Sequence, residues 1–302
     1  MIAANGLLDA LVDARILYPS GVPGILGRSG VFEDVIARFE GHVLKIGGGA
    51  HVEHIHFPPT MSRNQFEASG YMKNFPHLAG TVHCFCGNER DHARLLSRME
   101  AGQDWTGGQE ASQVVLTPAA CYPIYPIIAA RGTLEEPGAT IALNSYCFRH
   151  EPSDDPARMQ SFRQREFVRV GTPEQIAEFR SFWMDRSVEI ARALRLPAVL
   201  DVANDPFFGR GGKVIASSQR DQALKFEVLI AVSSDEKPTA CMSINYHQEH
   251  FGRTFAIRTA DGEIAHTACI GFGLERLALA LFRHHGVDVE SWPADVRQVL
   301  WG

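Results

Sequence analysis

Cys147-Phe-Arg149-His-Glu151, followed after a polar loop by Phe162-Arg-Gln-Arg-Glu166-Phe167, is the stretch on which the fold turns. Residues 141–148 and 162–170 both have strand character, and residues 154–160 between them are polar, which predicts a hairpin with a long tip. An Arg and a Glu two apart on a strand share a face. Arg149 can therefore meet a phosphate while Glu151 accepts a hydrogen bond from an adenine amine, with Phe167 placed to stack on a purine. An exposed, salt-bridged hairpin accounts for the same residues equally well.

A second stretch, Cys269-Ile-Gly271-Phe-Gly273-Leu-Glu275-Arg276, reads as a strand running through a glycine turn into the helix 274–284. Glycines at such a turn let a ligand approach the backbone, and a helix N-terminus with Arg276 in its first turn suits a polyphosphate. Alone this is a weak signal; together with the Arg-x-Glu hairpin it describes one ATP site. Further out, apolar spacing predicts a helix over 31–39 closed by Gly41, after a helix over 6–14 and a loop over 16–30. A strand over 51–57 must end at Pro58-Pro59. The clearest helix is 173–196, with Pro173 in its first turn. Residues 198–202, 224–232, 240–246, 254–258 and 267–272 read as strands. Hairpin connections outnumber strand-helix-strand units, so the expected class is α+β, a mainly antiparallel sheet flanked by helices. Lys225 and Glu227 share a face of one strand, and Ala240, Cys241, Met242 and Ser243 lie on a neighbouring one.

Composition narrows the function classes. With 302 residues, 45% of them apolar and 21% charged, the chain can bury a sizeable core and is not disordered. Its formal charge of −6 argues against general affinity for nucleic acid or an anionic membrane. No apolar run reaches membrane-spanning length, and Asp9, Asp13 and Arg15 interrupt the first apolar stretch, unlike a signal peptide. Six cysteines are too sparse for a disulfide scaffold, so the expected compartment is a reducing cytoplasm and the thiols are free or metal-bound.

Phe148-Arg149-His150-Glu151 resembles motif 2 of the class II aminoacyl-tRNA synthetases, and Gly271-Phe-Gly-Leu-Glu-Arg276 resembles motif 3. Residues 31–39 with the strand ending at Pro58 are similar to motif 1, which implies a homodimer. The pattern is nearest to the seryl-tRNA synthetase core, with one departure: Cys121 stands where that family's carboxylate binds the substrate amine. This departure resembles the zinc-dependent, methanogen-type synthetases and their truncated relatives, the amino acid:[carrier protein] ligases. The resemblance implies one Zn²⁺ on Cys121, Glu166 and Cys269, with Glu166 also at the amino-acid substrate. Two thiolates and a carboxylate leave the fourth tetrahedral position open for a ligand. It further implies catalytic roles for Arg149 and Arg276. ATP would be held by these two with Glu151, Arg158, Met159, Phe167, Lys225, Glu227 and the segment Ala240, Cys241, Met242, Ser243. Mg²⁺ would accompany ATP with Glu227 as its candidate ligand, since Thr239 replaces the family's magnesium-binding glutamate.

The implied domains are a short segment over 1–30 without a tRNA-binding arm and a catalytic domain over 31–302. The implied partners are ATP, a small amino acid (glycine or alanine) and a carrier protein with a phosphopantetheine arm, with no tRNA and no membrane. The arginines of the 173–196 helix, Arg180, Arg186, Arg192 and Arg195, form a candidate docking face for an acidic carrier. Two other readings stand beside this one: a truncated seryl-type tRNA synthetase and a non-catalytic, synthetase-like regulator. Two further ligand-rich stretches, His51-x-Glu53-His54-x-His56 and His83-Cys84-Phe-Cys86, read more simply as strand or loop than as metal sites.

Overall fold

The computed structural model describes residues 2, 3, 6–49 and 51–302. Helix α1 (Leu7–Asp13) and a hairpin of β1 (Leu17–Pro19) and β2 (Leu26–Arg28) lead into the long helix α2 (Gly30–Gly47). Ser29 caps α2 by accepting a hydrogen bond from the Phe32 N–H. Strands β3 (Val52–His56) and β4 (Thr60–Ser62), helices α3 (Arg63–Ala68) and α4 (Tyr71–Asn74), strand β5 (Thr81–Cys84), helix α5 (Glu89–Glu100), strand β6 (Glu110–Leu116) and helix α6 (Ile124–Ala130) follow. Next come the paired strands β7 (Ala139–Phe148) and β8 (Ser161–Gly171), helix α7 (Pro173–Ala193), strand β9 (Ala198–Val202) and helix α8 (Gly209–Asp221). The chain ends with β10 (Lys225–Ile230), β11 (Thr239–Gln248), α9 (His250–Phe255), β12 (His266–Gly273), α10 (Leu274–His285) and α11 (Ala294–Trp301).

Seven strands form the central sheet in the order β3-β7-β8-β12-β11-β10-β9. Only β3 pairs in parallel, with β7; every other pairing is antiparallel, as the hairpin count predicts. A small sheet, β4-β6-β5, stands beside it.

Apolar side chains on one face of the central sheet pack under α2, α7 and α10. Phe167 of β8, Phe272 of β12 and Trp183 of α7 meet there with ring centroids 4.8 and 5.7 Å from Trp183. Each fully buried side chain of this size contributes about 1.5–3 kcal/mol. Leu7, Leu11 and Leu17 join the same core, so the segment ahead of α2 is packed rather than trailing. A capping box, Thr172 with Gln175, starts α7 and directs Ile176, Trp183 and Ile190 inward.

Three local expectations are corrected. Helix α2 runs through Gly41 to Gly47, because its apolar stripe continues to the buried Val43 and one glycine in open space costs a helix only about 1 kcal/mol. Residues 254–258 are not a strand. Phe251 and Phe255, four apart, share a helical face against Tyr125, and Arg258 makes only an isolated bridge with Ile264. The 16–30 loop contains the β1–β2 hairpin.

Candidate active site

The registers set Glu166 of β8 opposite Gly271 of β12, Gly271 opposite Ser243 of β11, and Ser243 opposite Glu227 of β10. Directly opposed residues share a face, as do residues two apart on one strand. One face of four adjacent strands therefore carries Gln164 and Glu166, Cys269 and Gly271, Ser243 and Asn245, and Lys225 and Glu227. All eight border a single cleft of about 740 Å³. A Cβ at Gly271 would stand 3.5 Å from Glu166 Cγ and 3.6 Å from Ser243 Oγ, occupying the cleft floor.

At one end of the cleft Cys121, in the turn between β6 and α6, joins Glu166 and Cys269. Their ligand atoms all lie within 4.8 Å of one another, and this is the only such cluster among the described residues. All three are buried. Burial first, then the Cys269 sulfur, pushes the Glu166 carboxyl up to about 8. The contact with Cys269, then burial, drives the Cys121 thiol upward, while the same contact pulls Cys269 down, so the pair shares a proton. Cys269 also faces two nitrogens, Asn245 Nδ2 at 3.6 Å and His247 Nε2 at 3.7 Å. Glu166 Oε2 and the Tyr125 hydroxyl are buried with no hydrogen-bond partner. A buried carboxylate oxygen without a donor is costly, and a cation bonded to it removes that penalty. Two sulfurs and a carboxylate with an unpartnered oxygen supply three donors, which suit a tetrahedral metal ion with one position open.

The same cleft is lined by two arginines. Arg149 follows β7; its N–H donates to Gln160 O and its Nε to Pro118 O at 3.1 Å, with the guanidinium 5.4 Å from the centroid of Phe162. Arg276, in the first turn of α10, donates to Ala157 O and Ala240 O, both at 2.9 Å. These carbonyls come from the hairpin tip and from β11, so the side chain is fixed from two sides. Burial, aided by the neighbouring cations Arg149 and Arg158, lowers Arg276 from its ordinary value. Arg149, Arg158 and Arg276 thus stand close enough to feel one another's charge. Lys225 stands between Asp205 Oδ1 at 2.5 Å and Glu227 Oε1 at 3.0 Å. These carboxylates outweigh the burial that opposes its charge.

Several sequence expectations are thereby sorted. Arg149, Arg276, Lys225, Glu227, Ala240 and Ser243 border the cleft; so do Cys241 and Met242, whose side chains belong to the core. Glu151 and Arg158 pair with each other at 3.7 Å beside it, and Met159 is buried next to Phe162 and Arg276. Phe167 is a correction: it is one residue from Glu166 and so faces the opposite way, fully buried against Trp183. A Cβ at Gly47 would collide with its ring at 2.5 Å, which shows how closely α2 covers it. It cannot reach a purine. Phe162, partly exposed on the cleft beside Arg276, has the position that Phe167 lacks.

Of the four arginines of the expected docking face on and just after α7, Arg192 is exposed. Arg180 stacks over Tyr246 and donates to Ala223 O, Arg186 pairs with Glu189, and Arg195 pairs with Asp295. Asp205, Asn245 and His247 went unread in the sequence. The strand period of two, counted from Ser243, points to Asn245. Asp205 becomes legible only through its fold partner Lys225.

A seven-stranded, largely antiparallel sheet flanked by helices, with two part-buried arginines on a cleft over one face, has the fold of the class II aminoacyl-tRNA synthetase catalytic cores. The seryl-tRNA synthetase of M. kandleri, solved with a tRNASec of A. aeolicus, superposes with a TM-score of 0.82 over 99% of this chain and 60% of that one, at 19% identity. No family model matches the chain. Amino acid–[acyl-carrier-protein] ligase 1 of Bradyrhizobium diazoefficiens is 48% identical over 97% of this chain and 89% of its own length. The type-2 serine–tRNA ligase of Methanothermobacter thermautotrophicus is 28% identical over 59% of this chain and 36% of its own. The chain belongs to the family of amino acid–[acyl-carrier-protein] ligases. No helix of the described residues is long and apolar enough to cross a membrane.

Proposed function

We propose that the chain activates a small amino acid with ATP and passes it to the phosphopantetheine thiol of a carrier protein. The observation that carries this reading is the position of the buried Cys121, Glu166 and Cys269 set at one end of the cleft that holds Arg149 and Arg276. In the first step the amino-acid carboxylate attacks the α-phosphorus of ATP in line and pyrophosphate leaves. In the second the carrier thiol loses its proton and attacks the adenylate carbonyl; AMP leaves and a thioester remains.

Arg149 bridges the carboxylate and the α-phosphate, and Arg276 neutralises the far end of the polyphosphate; both act by position and charge. Phe162 supplies the apolar face for the purine. Glu151 accepts from the adenine amine, and Arg158 closes over the nucleotide from the hairpin tip. Glu227 and Lys225 line the polyphosphate side, with Mg²⁺ offsetting the charge of ATP. Cys121, Glu166 and Cys269 would hold Zn²⁺. Bound there, zinc supplies a Lewis-acidic position that takes an amine and excludes molecules without one. The substrate class is glycine or alanine, which differ by one methyl. The assembly is a homodimer paired through α2 and β3, and residues 31–302 form the catalytic domain, with 1–30 its short leading segment.

The test is ATP–pyrophosphate exchange across all twenty amino acids, followed by transfer to holo carrier protein or to tRNA. Exchange with glycine or alanine and labelling of the holo carrier support the reading. Labelling of tRNA moves the assignment to a truncated synthetase, and no exchange with any amino acid moves it to a regulator.

A further inference from the structure

Cys269 differs from Cys121 in what surrounds it. Its sulfur faces Asn245 Nδ2 at 3.6 Å and His247 Nε2 at 3.7 Å, two nitrogens carried by the neighbouring strand β11. His247 is not itself in the ligand cluster: among the described residues only Cys121, Glu166 and Cys269 have ligand atoms that are mutually close. It reaches one ligand and stops there. Its other nitrogen, Nδ1, lies 3.1 Å from the hydroxyl of Thr267, a fully buried residue two places before Cys269 on β12. The ring is held edge-on to Phe251, centroids 5.0 Å apart, and to Tyr125 at 6.3 Å. Thr267, His247 and Cys269 therefore form a fixed chain of contacts with aromatic walls.

We propose that His247 is a positioning residue for the metal centre, which orients the Cys269 thiolate and tunes how strongly it donates to the metal. The inference rests on the reading of Cys121, Glu166 and Cys269 as a zinc site. In this proposal the Thr267 hydroxyl, 3.1 Å from Nδ1, donates to it, and the ring proton stands on Nε2, directed at the sulfur 3.7 Å away. That fixes the tautomer without any change of ring charge. An N–H donor on a thiolate withdraws electron density from it, and the Asn245 amide adds a second. A sulfur that donates less leaves the metal more Lewis-acidic at its open position, where the substrate amine binds. Groups that hold a ligand in this way typically change metal affinity 10- to 100-fold when removed.

The experiment compares wild-type protein with His247→Leu, His247→Gln and Thr267→Val. Zinc affinity is read by competition with a chromogenic chelator, and the thiolate-to-metal band is read in the Co²⁺-substituted proteins. His247→Leu should lower zinc affinity about 10- to 100-fold and shift the cobalt band. It should also raise the amino-acid KM more than it lowers kcat. His247→Gln, which keeps an N–H donor, should restore much of the affinity, and Thr267→Val, which releases the ring while keeping its shape, should fall between. Thr267→Val carries the test if the leucine variant does not fold. Wild-type zinc affinity and an unshifted band in both the leucine and valine variants would overturn the proposal. Wild-type protein that binds no zinc would instead overturn the zinc reading beneath it.

Discussion

Cys121, Glu166 and Cys269 are three acidic groups buried within contact of one another, an arrangement that protons alone satisfy poorly. Unfolded, the Glu166 carboxyl ionises near the ordinary carboxylate value; folded and metal-free, it holds its proton up to about 8. Through Glu166 the native state keeps a proton that the unfolded state loses between about pH 5 and 8, so this group's contribution to stability falls as pH rises through that window, while the lowered Cys269 and the lowered His42, His250, His284 and His285 act the other way. Metal-free wild type should lose melting temperature relative to metal-free Glu166→Gln from pH 5 to pH 8, and zinc should remove that relative loss. Zinc affinity should rise over the same window, because bound protons must leave. A wild-type melting temperature that rises relative to Glu166→Gln over that window would contradict this. The two phenylalanines of β8 offer a second residue-scale prediction. Phe162→Ala should raise the KM for ATP with little loss of stability, whereas Phe167→Ala should cost about 3–5 kcal/mol of stability, read by denaturant unfolding. Arg149→Ala and Arg276→Ala should each lower pyrophosphate exchange about 10²–10³-fold while melting like the wild type.

At the scale of elements, the hairpin β7–β8 and the strand-to-helix turn at Gly273 were readable because their residue types answer to backbone rules. Strand period, glycine at a turn and charge at a helix N-terminus are all local. Orientation was readable only where register is known. Phe167 and Glu166 are adjacent, and no local rule says which of the two meets a ligand; the cover supplied by α2 and Trp183 decides it. Helix α9 was misread for a related reason: Phe251 and Phe255 make sense only against Tyr125, more than a hundred residues away. Gly41 was read as a stop because glycine often is one, while the apolar stripe of α2 runs past it to Val43. A Cβ there meets nothing within 4 Å. Gly41→Ala should therefore stabilise the protein by about 0.5–1 kcal/mol, measured by the denaturant midpoint at unchanged slope.

Across the whole molecule, one face of four strands lines a cleft that carries both the Cys121, Glu166 and Cys269 cluster and the arginines Arg149 and Arg276. The set Cys121, Glu166 and Cys269 was legible only through the resemblance to the synthetase motifs, and the fold brings the three together. Asp205 and His247 were not, because each acts through a partner brought to it by the sheet. Residues 31–39 and the strand ending at Pro58 pair two copies in the proposed assembly. Light scattering at micromolar concentration should give twice the chain mass of 33.3 kDa. The most direct test of the central claim gives the protein ATP and radiolabelled glycine or alanine, with holo carrier protein, apo carrier protein and total tRNA in parallel. Label should appear on the holo carrier alone and be released by hydroxylamine, as a thioester is. Stable label on tRNA, or label on the apo carrier equal to that on the holo form, would contradict the account.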